Sequence, residues 1–275
     1  MKLRFTLILH VLAYLLWSIM VSAQIRYVDE SRPSSGAGTS WATAYKTLAE
    51  AMNAANTNSS ITEIHVARGT YFPTGNQSNT NRDSAFTIIR GGLKLLGGFP
   101  AGGGARDILA NFTILSGDIA TENVHTNNSI HIMVIAGLST AADSVVVDGF
   151  HFQRGYANGS TSKLYNGQTI QKDRAGALAI WGCSNGQKVA IRNCSFRGNW
   201  ASDAGGALFV NASQPLIRNC LFSGNIADYG GAATFAATSP ATLIHCTFGG
   251  NHRRVVGGGT IRNSSSNPVF INCII

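Results

Sequence analysis

Apolar and polar residues alternate in short segments along most of the chain, and a hydrophobic period of two residues is typical of β-strands. Between residues 189 and 275 these segments recur at a fixed interval. Cys194, Cys220 and Cys246 are spaced 26 residues apart, and Cys273 follows 27 residues later. The same interval separates Phe196, Phe222 and Phe248, and also Asn199, Asn225 and Asn251. The pattern predicts a repeat architecture in which each unit is built from strands.

In each unit the alternation slips by one residue between two strands. Val189 and Ile191 share one face of the first unit, and after Asn193 the pattern restarts out of phase at Cys194. Such a slip requires a bend, and the residues at this position all tolerate a left-handed backbone better than most types. They are Gly149, Asn193, Asn219, His245 and Asn272. Three strands, one tight bend and one glycine turn per unit predict an all-β fold, a parallel β-helix whose coils hydrogen-bond to one another.

The segments before this block predict irregular coils of the same β-helix. Short apolar strands are expected within residues 25–29, 63–72, 86–99, 112–119, 131–138 and 145–152. About 14 extra residues within the stretch 156–174, relative to the later units, predict a lateral excursion from one coil. The last residues, Cys273–Ile275, fall inside a strand, so we expect further coils to follow in the natural protein.

A helical spacing of apolar residues interrupts the strand pattern from about Trp41 to Asn56. The residues at this spacing are Tyr45, Leu48, Ala49, Met52 and Ala55. We predict an amphipathic helix that covers the open N-terminal end of the β-helix, because a bare end would expose apolar core and unpaired strand edges. The predicted organisation is a signal peptide at residues 1–23, an N-terminal cap at 24–60 and the β-helix at 61–275.

The N-terminus has the pattern of an export signal. Lys2 and Arg4 precede an apolar run from Phe5 to Val21, and the small residues ending at Ala23 form a cleavage site. A membrane anchor is the alternative, but 17 residues is at the short limit for a membrane span. We expect cleavage near Ala23, no transmembrane span in the mature chain, and a secreted or outer-membrane, cell-surface location.

Composition narrows the class of partner. The 275 residues carry a formal charge of +8, but only 12% of them are charged, which argues against a nucleic-acid binder with a concentrated basic stripe. The mild positive excess is typical of a basic secreted surface and could favour acidic polysaccharides. The five cysteines are expected to be free, buried apolar fillers, because in-register side chains on parallel strands suit a stack of thiols better than a disulfide.

Paired motifs in the repeat block carry a family resemblance. FRGN with GGALFV, FSGN with GGAATF and FGGN with GGGTI resemble the FxxN and GGA(I/L/V) repeats of the polymorphic outer membrane proteins. The upstream sequence is similar to the N-terminal part of large secreted right-handed β-helix proteins of Bacteroidetes. The resemblance implies a right-handed, pectate-lyase-like solenoid on a bacterial surface, with adhesion as its function. The third unit departs from the motif, because GGGTI lacks the alanine.

The same fold occurs in polysaccharide lyases and hydrolases, which place carboxylates and Ca²⁺ on one outer face. Asp173, Asp203 and Asp228 each lie two residues before a turn pair, so stacked coils would align them. Aligned carboxylates about 4.8 Å apart repel one another unless a cation or basic ligand lies among them. We favour hydrogen bonds from each aspartate to its own turn, with Ca²⁺ or ligand binding as the alternative. The histidines show no metal-binding spacing.

Three functions remain after these observations. The first is adhesion or glycan binding without catalysis by a monomer whose partner is a polysaccharide or a host or cell-surface ligand. The second is a calcium-dependent polysaccharide lyase or hydrolase that uses the aspartates. The third is a structural spacer. The sequence contains no coherent catalytic set, so we expect the first.

Overall fold

The computed structural model describes residues 23–138, 144–183, 188–255 and 259–275. The predicted signal peptide lies outside these ranges except for Ala23. Three long parallel sheets form the body of the described molecule, and the chain passes through them in turn on each coil. The predicted parallel β-helix is therefore confirmed.

Strands are numbered in chain order. Sheet 1 contains, in spatial order, β1 (Gln24–Val28), β2 (Ile61–Ala67), β5 (Leu93–Phe99), β8 (Ser144–Asp148), β14 (Lys188–Arg192), β18 (Leu216–Arg218), β22 (Thr242–Ile244) and β26 (Val269–Ile271). Sheet 2 contains β3 (Gly69–Tyr71), β6 (Thr113–Ser116), β9 (Phe150–Gln153), β15 (Ser195–Arg197), β19 (Leu221–Ser223) and β23 (Thr247–Gly249). Sheet 3 contains β4 (Phe86–Ile88), β7 (Met133–Ala136), β13 (Leu178–Trp181), β17 (Leu208–Asn211), β21 (Ala233–Ala236) and β25 (Ile261–Ser264).

A short fourth sheet lies at the turn between sheets 2 and 3. It contains β10 (Tyr156–Ala157), β16 (Trp200–Ala201), β20 (Ile226–Ala227) and β24 (His252–Arg253). The remaining strands, β11 (Ser162–Tyr165) and β12 (Gln168–Gln171), form an antiparallel hairpin. This hairpin is the lateral excursion predicted from the extra residues. Its Tyr165 and Ile170 are buried in one cluster with Trp181, so it packs over the outer face of sheet 3.

Equivalent residues of successive coils stack inside the helix. Phe152, Phe196, Phe222 and Phe248 form a column of nearly parallel rings whose centroids are 4.8, 4.7 and 4.7 Å apart. The repeated cysteines stack beside this column as free thiols, and Cys194, Cys220 and Cys246 are buried. Burial raises the pKa of Cys220 well above its usual value. Cys183 is buried as well, so four of the five cysteines fill space in the core as predicted, whereas Cys273 is only partly buried.

The bend between sheets 1 and 2 has a left-handed backbone in every regular coil. The φ angles are 82° at Gly149, 50° at Asn193, 53° at Asn219, 54° at His245 and 50° at Asn272. The N–H of one bend residue donates to a carbonyl of the next coil, as from Asn193 to the Arg218 oxygen at 3.0 Å. Asparagine and histidine adopt this conformation at less cost than most side chains, which explains their recurrence here.

A ladder of buried asparagines stabilises the corner between sheet 2 and the short fourth sheet. Asn199 and Asn225 are fully buried, and the side chain of Asn225 donates to the Phe196 carbonyl at 2.9 Å and to Asn251 Oδ1 at 2.9 Å. The Asn225 Oδ1 atom accepts from the backbone N–H of Asn199 at 3.0 Å. These bonds satisfy polar groups that would otherwise be left unpaired in the core.

The N-terminal helix is shorter than predicted. Helix α1 spans Leu48–Thr57, and Trp41–Thr43 forms a separate 3₁₀ turn. Tyr45 fits the helical spacing, but its backbone is extended and pairs with Val28 of β1. The helix begins after Thr47, where Thr47 and Glu50 form a reciprocal capping box.

Helix α1 packs onto the first coil. Leu48, Ala51, Met52 and Ala55 are buried in the main core cluster. The side chain of Asn56 donates to the Thr87 carbonyl of β4 at 2.7 Å, so the helix also satisfies a backbone group at the first strand of sheet 3.

Candidate functional site

The three predicted aspartates lie along the turn that leads into sheet 3. Backbone bonds connect them between coils, because the Asp203 N–H donates to the Asp173 carbonyl at 2.9 Å and the Tyr229 N–H donates to the Asp203 carbonyl at 2.8 Å. We call Asp173, Asp203, Asp228 and their arginine partners Arg174 and Arg254 the turn ridge.

Arginines of the same chain neutralise the turn ridge. Arg174 Nε donates to Asp203 Oδ2 at 2.7 Å and lies 3.7 Å from Asp173 Oδ1. Arg254 Nη2 lies 2.6 Å from Asp228 Oδ1. The basic ligand that aligned carboxylates require is thus supplied internally. Neither sequence interpretation anticipated this partner.

The ridge arginines also pack on aromatic rings. The Arg254 guanidinium lies 4.6 Å from the centre of the Trp200 ring, and Trp200 stacks on Tyr156 with centroids 4.3 Å apart. The Arg174 guanidinium lies 5.2 Å from the centre of the Phe209 ring. These contacts hold the arginines against the coils, so the ridge behaves as a structural ion-pair network.

Binding of Ca²⁺ or another ligand by these aspartates, the alternative given by the sequence, stays a prediction. Within the described ranges, no three His, Cys, Asp or Glu side chains are grouped in a way that could hold a metal ion. Burial raises the pKa of Asp173, and the nearby charge of Arg174 opposes this shift.

A different surface offers an open groove. It lies on the outer face of sheet 2, has a volume of about 270 Å³, and is lined by Phe112, Ile114, His151, Phe152, Gln153, Ser195 and Arg197. The polar residues occupy outward positions of two neighbouring strands, because His151 is the register partner of Ser195 and Gln153 is the register partner of Arg197.

The groove combines one aromatic side chain with several hydrogen-bonding groups. Phe112 is 54% exposed, and its ring meets His151 edge to face at 4.9 Å. His151 Nδ1 and Ser195 Oγ share a hydrogen bond of 2.6 Å. Burial lowers the pKa of His151, which favours a neutral imidazole at pH 7. An apolar surface next to neutral hydrogen-bonding groups suits a sugar ring, which has faces of both kinds.

Residues 136–275, slightly more than half of the chain, match a family model described as the right-handed β-helix region. The chain belongs to the right-handed β-helix family. Comparison with curated proteins gives no match, and comparison with solved structures gives none. The helices of the described ranges are too short or too polar to span a bilayer.

Sequence reasoning identified the ridge of this β-helix but missed its groove. Outward residues such as His151 and Ser195 carry no motif, and they come together only when coils 44 residues apart in sequence are stacked. One signal was present, because Phe112 is a large apolar residue at the start of a strand, where the alternation places Thr113 inside. A single exposed apolar residue is common on protein surfaces, so this signal alone could not have located the groove.

Proposed function

We propose that this β-helix binds a glycan without catalysis and acts in adhesion. The groove on sheet 2 carries the proposal, because it presents the exposed ring of Phe112 beside the polar row of His151, Ser195 and Gln153. Stacked coils extend this face along the helix axis through Leu221, which is 43% exposed, and Thr247. An elongated face of this kind suits a polymer that lies along the solenoid.

The turn ridge favours binding over hydrolysis. A glycoside hydrolase of the common type needs two carboxyl groups available to act as acid and as base or nucleophile. Asp203 and Asp228 are each engaged by an arginine, at 2.7 and 2.6 Å. The resemblance to polymorphic outer membrane proteins and the predicted export signal support a secreted or cell-surface location for the binding.

Replacing Phe112 tests the role of the groove. We expect Phe112→Ala to weaken binding of the preferred polysaccharide by roughly 2- to 13-fold, because the ring offers stacking worth about 0.5–1.5 kcal/mol. Affinity electrophoresis in gels containing single polysaccharides, followed by calorimetry on the one that retards the protein, measures the change. Leu164→Ala is the matched control, because Leu164 is 66% exposed on the hairpin away from sheet 2.

Product analysis tests the absence of catalysis. The protein is incubated with each bound polysaccharide, and reducing ends and unsaturated products are measured over time. Products that disappear in an Asp203→Ala variant would contradict a purely adhesive function.

For the binding test, equal affinity of the Phe112→Ala and Leu164→Ala variants for the polysaccharide would show that the glycan does not bind at the groove.

A further inference from the structure

One arginine lines the groove and two more lie across the bend on sheet 1. We call Arg192, Arg218 and Arg197 the arginine strip. Arg192 and Arg218 are register partners on the outer face of sheet 1, at the strand ends next to the bend. Arg197 points outward from β15 in the groove itself. All three are exposed.

The arrangement of Arg192 and Arg218 is unfavourable for the isolated protein. Neighbouring strands lie about 4.8 Å apart, and like charges directly opposite each other on adjacent strands destabilise a sheet. A bound anion between or above the two guanidinium groups removes this repulsion.

Among the residues that the structure describes, no carboxylate pairs with the arginine strip. The nearest in-register carboxylate is that of Asp148, the partner of Arg192 across the sheet, but Arg106 Nη2 holds it at 2.6 Å and Asn193 Nδ2 donates to it at 3.0 Å. In the described residues, Arg192, Arg197 and Arg218 form no ion pair, whereas Arg106, Arg154, Arg174 and Arg254 each pair with an aspartate.

Polar side chains connect the strip to the groove across the bend. Asn219 Nδ2 donates to Asn193 Oδ1 at 3.2 Å, and His245 is exposed at the next bend position. The Ser195 hydroxyl follows two residues after Asn193. The polar bend residues therefore lie between the sheet 1 arginines and the groove along the coil.

We propose that the glycan bound here is anionic, and that its carboxylate or sulfate groups bind to the arginine strip. Guanidinium groups bind both anions through paired, charge-assisted hydrogen bonds. The rigid coils present these cations at the spacing of neighbouring strands, so successive anionic groups of one polymer bind together. This inference rests on the proposed function, because the groove positions the sugar rings whose charges the strip recognises.

Single charge removals test the inference by calorimetry. The probes are heparin as a sulfated polymer, polygalacturonate as a carboxylated polymer, and dextran as a neutral one. We expect Arg192→Gln and Arg218→Gln each to weaken binding of a polyanion by about 3- to 10-fold and to reduce its salt dependence. Lys46→Gln is the matched control, because it removes one charge from an exposed residue of the N-terminal cap. We expect it to change the affinity less than twofold.

The possible results separate the two proposals. If a neutral glycan binds through Phe112 and neither polyanion binds, the inference fails and the proposed function stands. If the polyanions bind with sensitivity to Arg192 and none to Phe112, the groove proposal fails and the arginine strip stands. If Lys46→Gln lowered the affinity for the polyanion as much as Arg192→Gln does, the effect would come from the net charge of the protein alone, and the inference would be overturned. Duplex DNA that binds equally well, with the same sensitivity to the variants, would overturn a glycan as the occupant.

Discussion

His131 is a buried titratable residue just before β7. Its side chain is 2% exposed, and Nδ1 donates to the Ala175 carbonyl at 2.9 Å. Burial lowers the pKa of His131 to about 4, from an ordinary value of 6.5, although the hydrogen bond to Ala175 and the charge of Asp83 oppose this shift. The imidazole is therefore neutral in the folded protein at pH 6 and protonated only on unfolding.

This depressed pKa predicts a loss of stability on acidification. The unfolded chain binds the proton from about pH 6.5 downward, whereas the folded chain does so only near pH 4. The burial of His131 therefore costs no stability above pH 6.5, and the free energy of unfolding decreases as the pH falls from 6.5 towards 4. Between pH 7 and 5.5, the free energy of unfolding should fall by about 1 kcal/mol more than in a His131→Asn variant. Urea denaturation at several pH values measures both slopes. Asparagine keeps a donor for the Ala175 carbonyl, and parallel slopes would contradict the prediction.

At the scale of the element, the glycine pairs decide how closely coils approach. The first member of a pair has a left-handed backbone, with φ of 65° at Gly205 and 61° at Gly230. Alanine also occupies this position, since Ala175 has φ of 57°. An added Cβ would meet backbone oxygen at both members, 2.3 Å from the Leu208 oxygen at Gly205 and 2.2 Å from the Gly231 oxygen at Gly206. Ala175 shows that a Cβ can be accommodated at the first position, whereas Gly176, Gly206 and Gly231 keep the second position free of a Cβ.

Two alanine substitutions separate backbone conformation from space. Gly224 has φ of 63° with no atom within 4 Å of an added Cβ, so Gly224→Ala should cost about 1 kcal/mol. Gly206→Ala forces neighbouring coils apart and should cost roughly 3 kcal/mol or more. Urea midpoints measure the difference, and soluble yield replaces them if Gly206→Ala does not fold. Similar midpoints for the two variants would show that the close approach of the coils is unimportant.

At the scale of the whole molecule, the stacked columns of side chains hold neighbouring coils together. The phenylalanine column contributes apolar burial, and the asparagine ladder pairs the polar groups of the corner. In a solenoid each coil contacts only its neighbours, so a break in one column weakens two interfaces. The hairpin adds a tie between distant segments, because Lys172 Nζ lies 2.8 Å from Asp83 Oδ2.

Replacing Asn225 tests the asparagine ladder. Asn225→Ala removes bonds to both neighbouring coils and leaves buried partners unpaired, so we expect a loss of about 2–3 kcal/mol. Gln214→Ala is the control, because Gln214 is an exposed polar residue in the loop between β17 and β18. Chemical denaturation followed by circular dichroism compares the two variants. An unchanged denaturation midpoint for Asn225→Ala would show that other contacts stabilise this corner.

The sequence by itself determined the repeat, the strand segments and the bend. Each depends on neighbouring residues: the alternation sets which side chains face inward, and Asn193 and its equivalents permit the left-handed turn. The helix was predictable in kind, but its start was not. Tyr45 has helical spacing, yet its backbone pairs with Val28 of β1. Only the three-dimensional structure shows that this pairing competes with helix formation at Tyr45.

Only the tertiary structure decided the partners of the functional candidates. Asp203 pairs with an arginine 29 residues before it, and His151 meets a serine 44 residues after it. The free charge of Arg192 likewise depends on Arg106, which takes the carboxylate of Asp148. Periodicity places equivalent residues in columns, but which side chains of different coils come together depends on coil length and register. Because such pairs are far apart in sequence, the repeat predicts the scaffold and the stacking of coils creates the surface that binds.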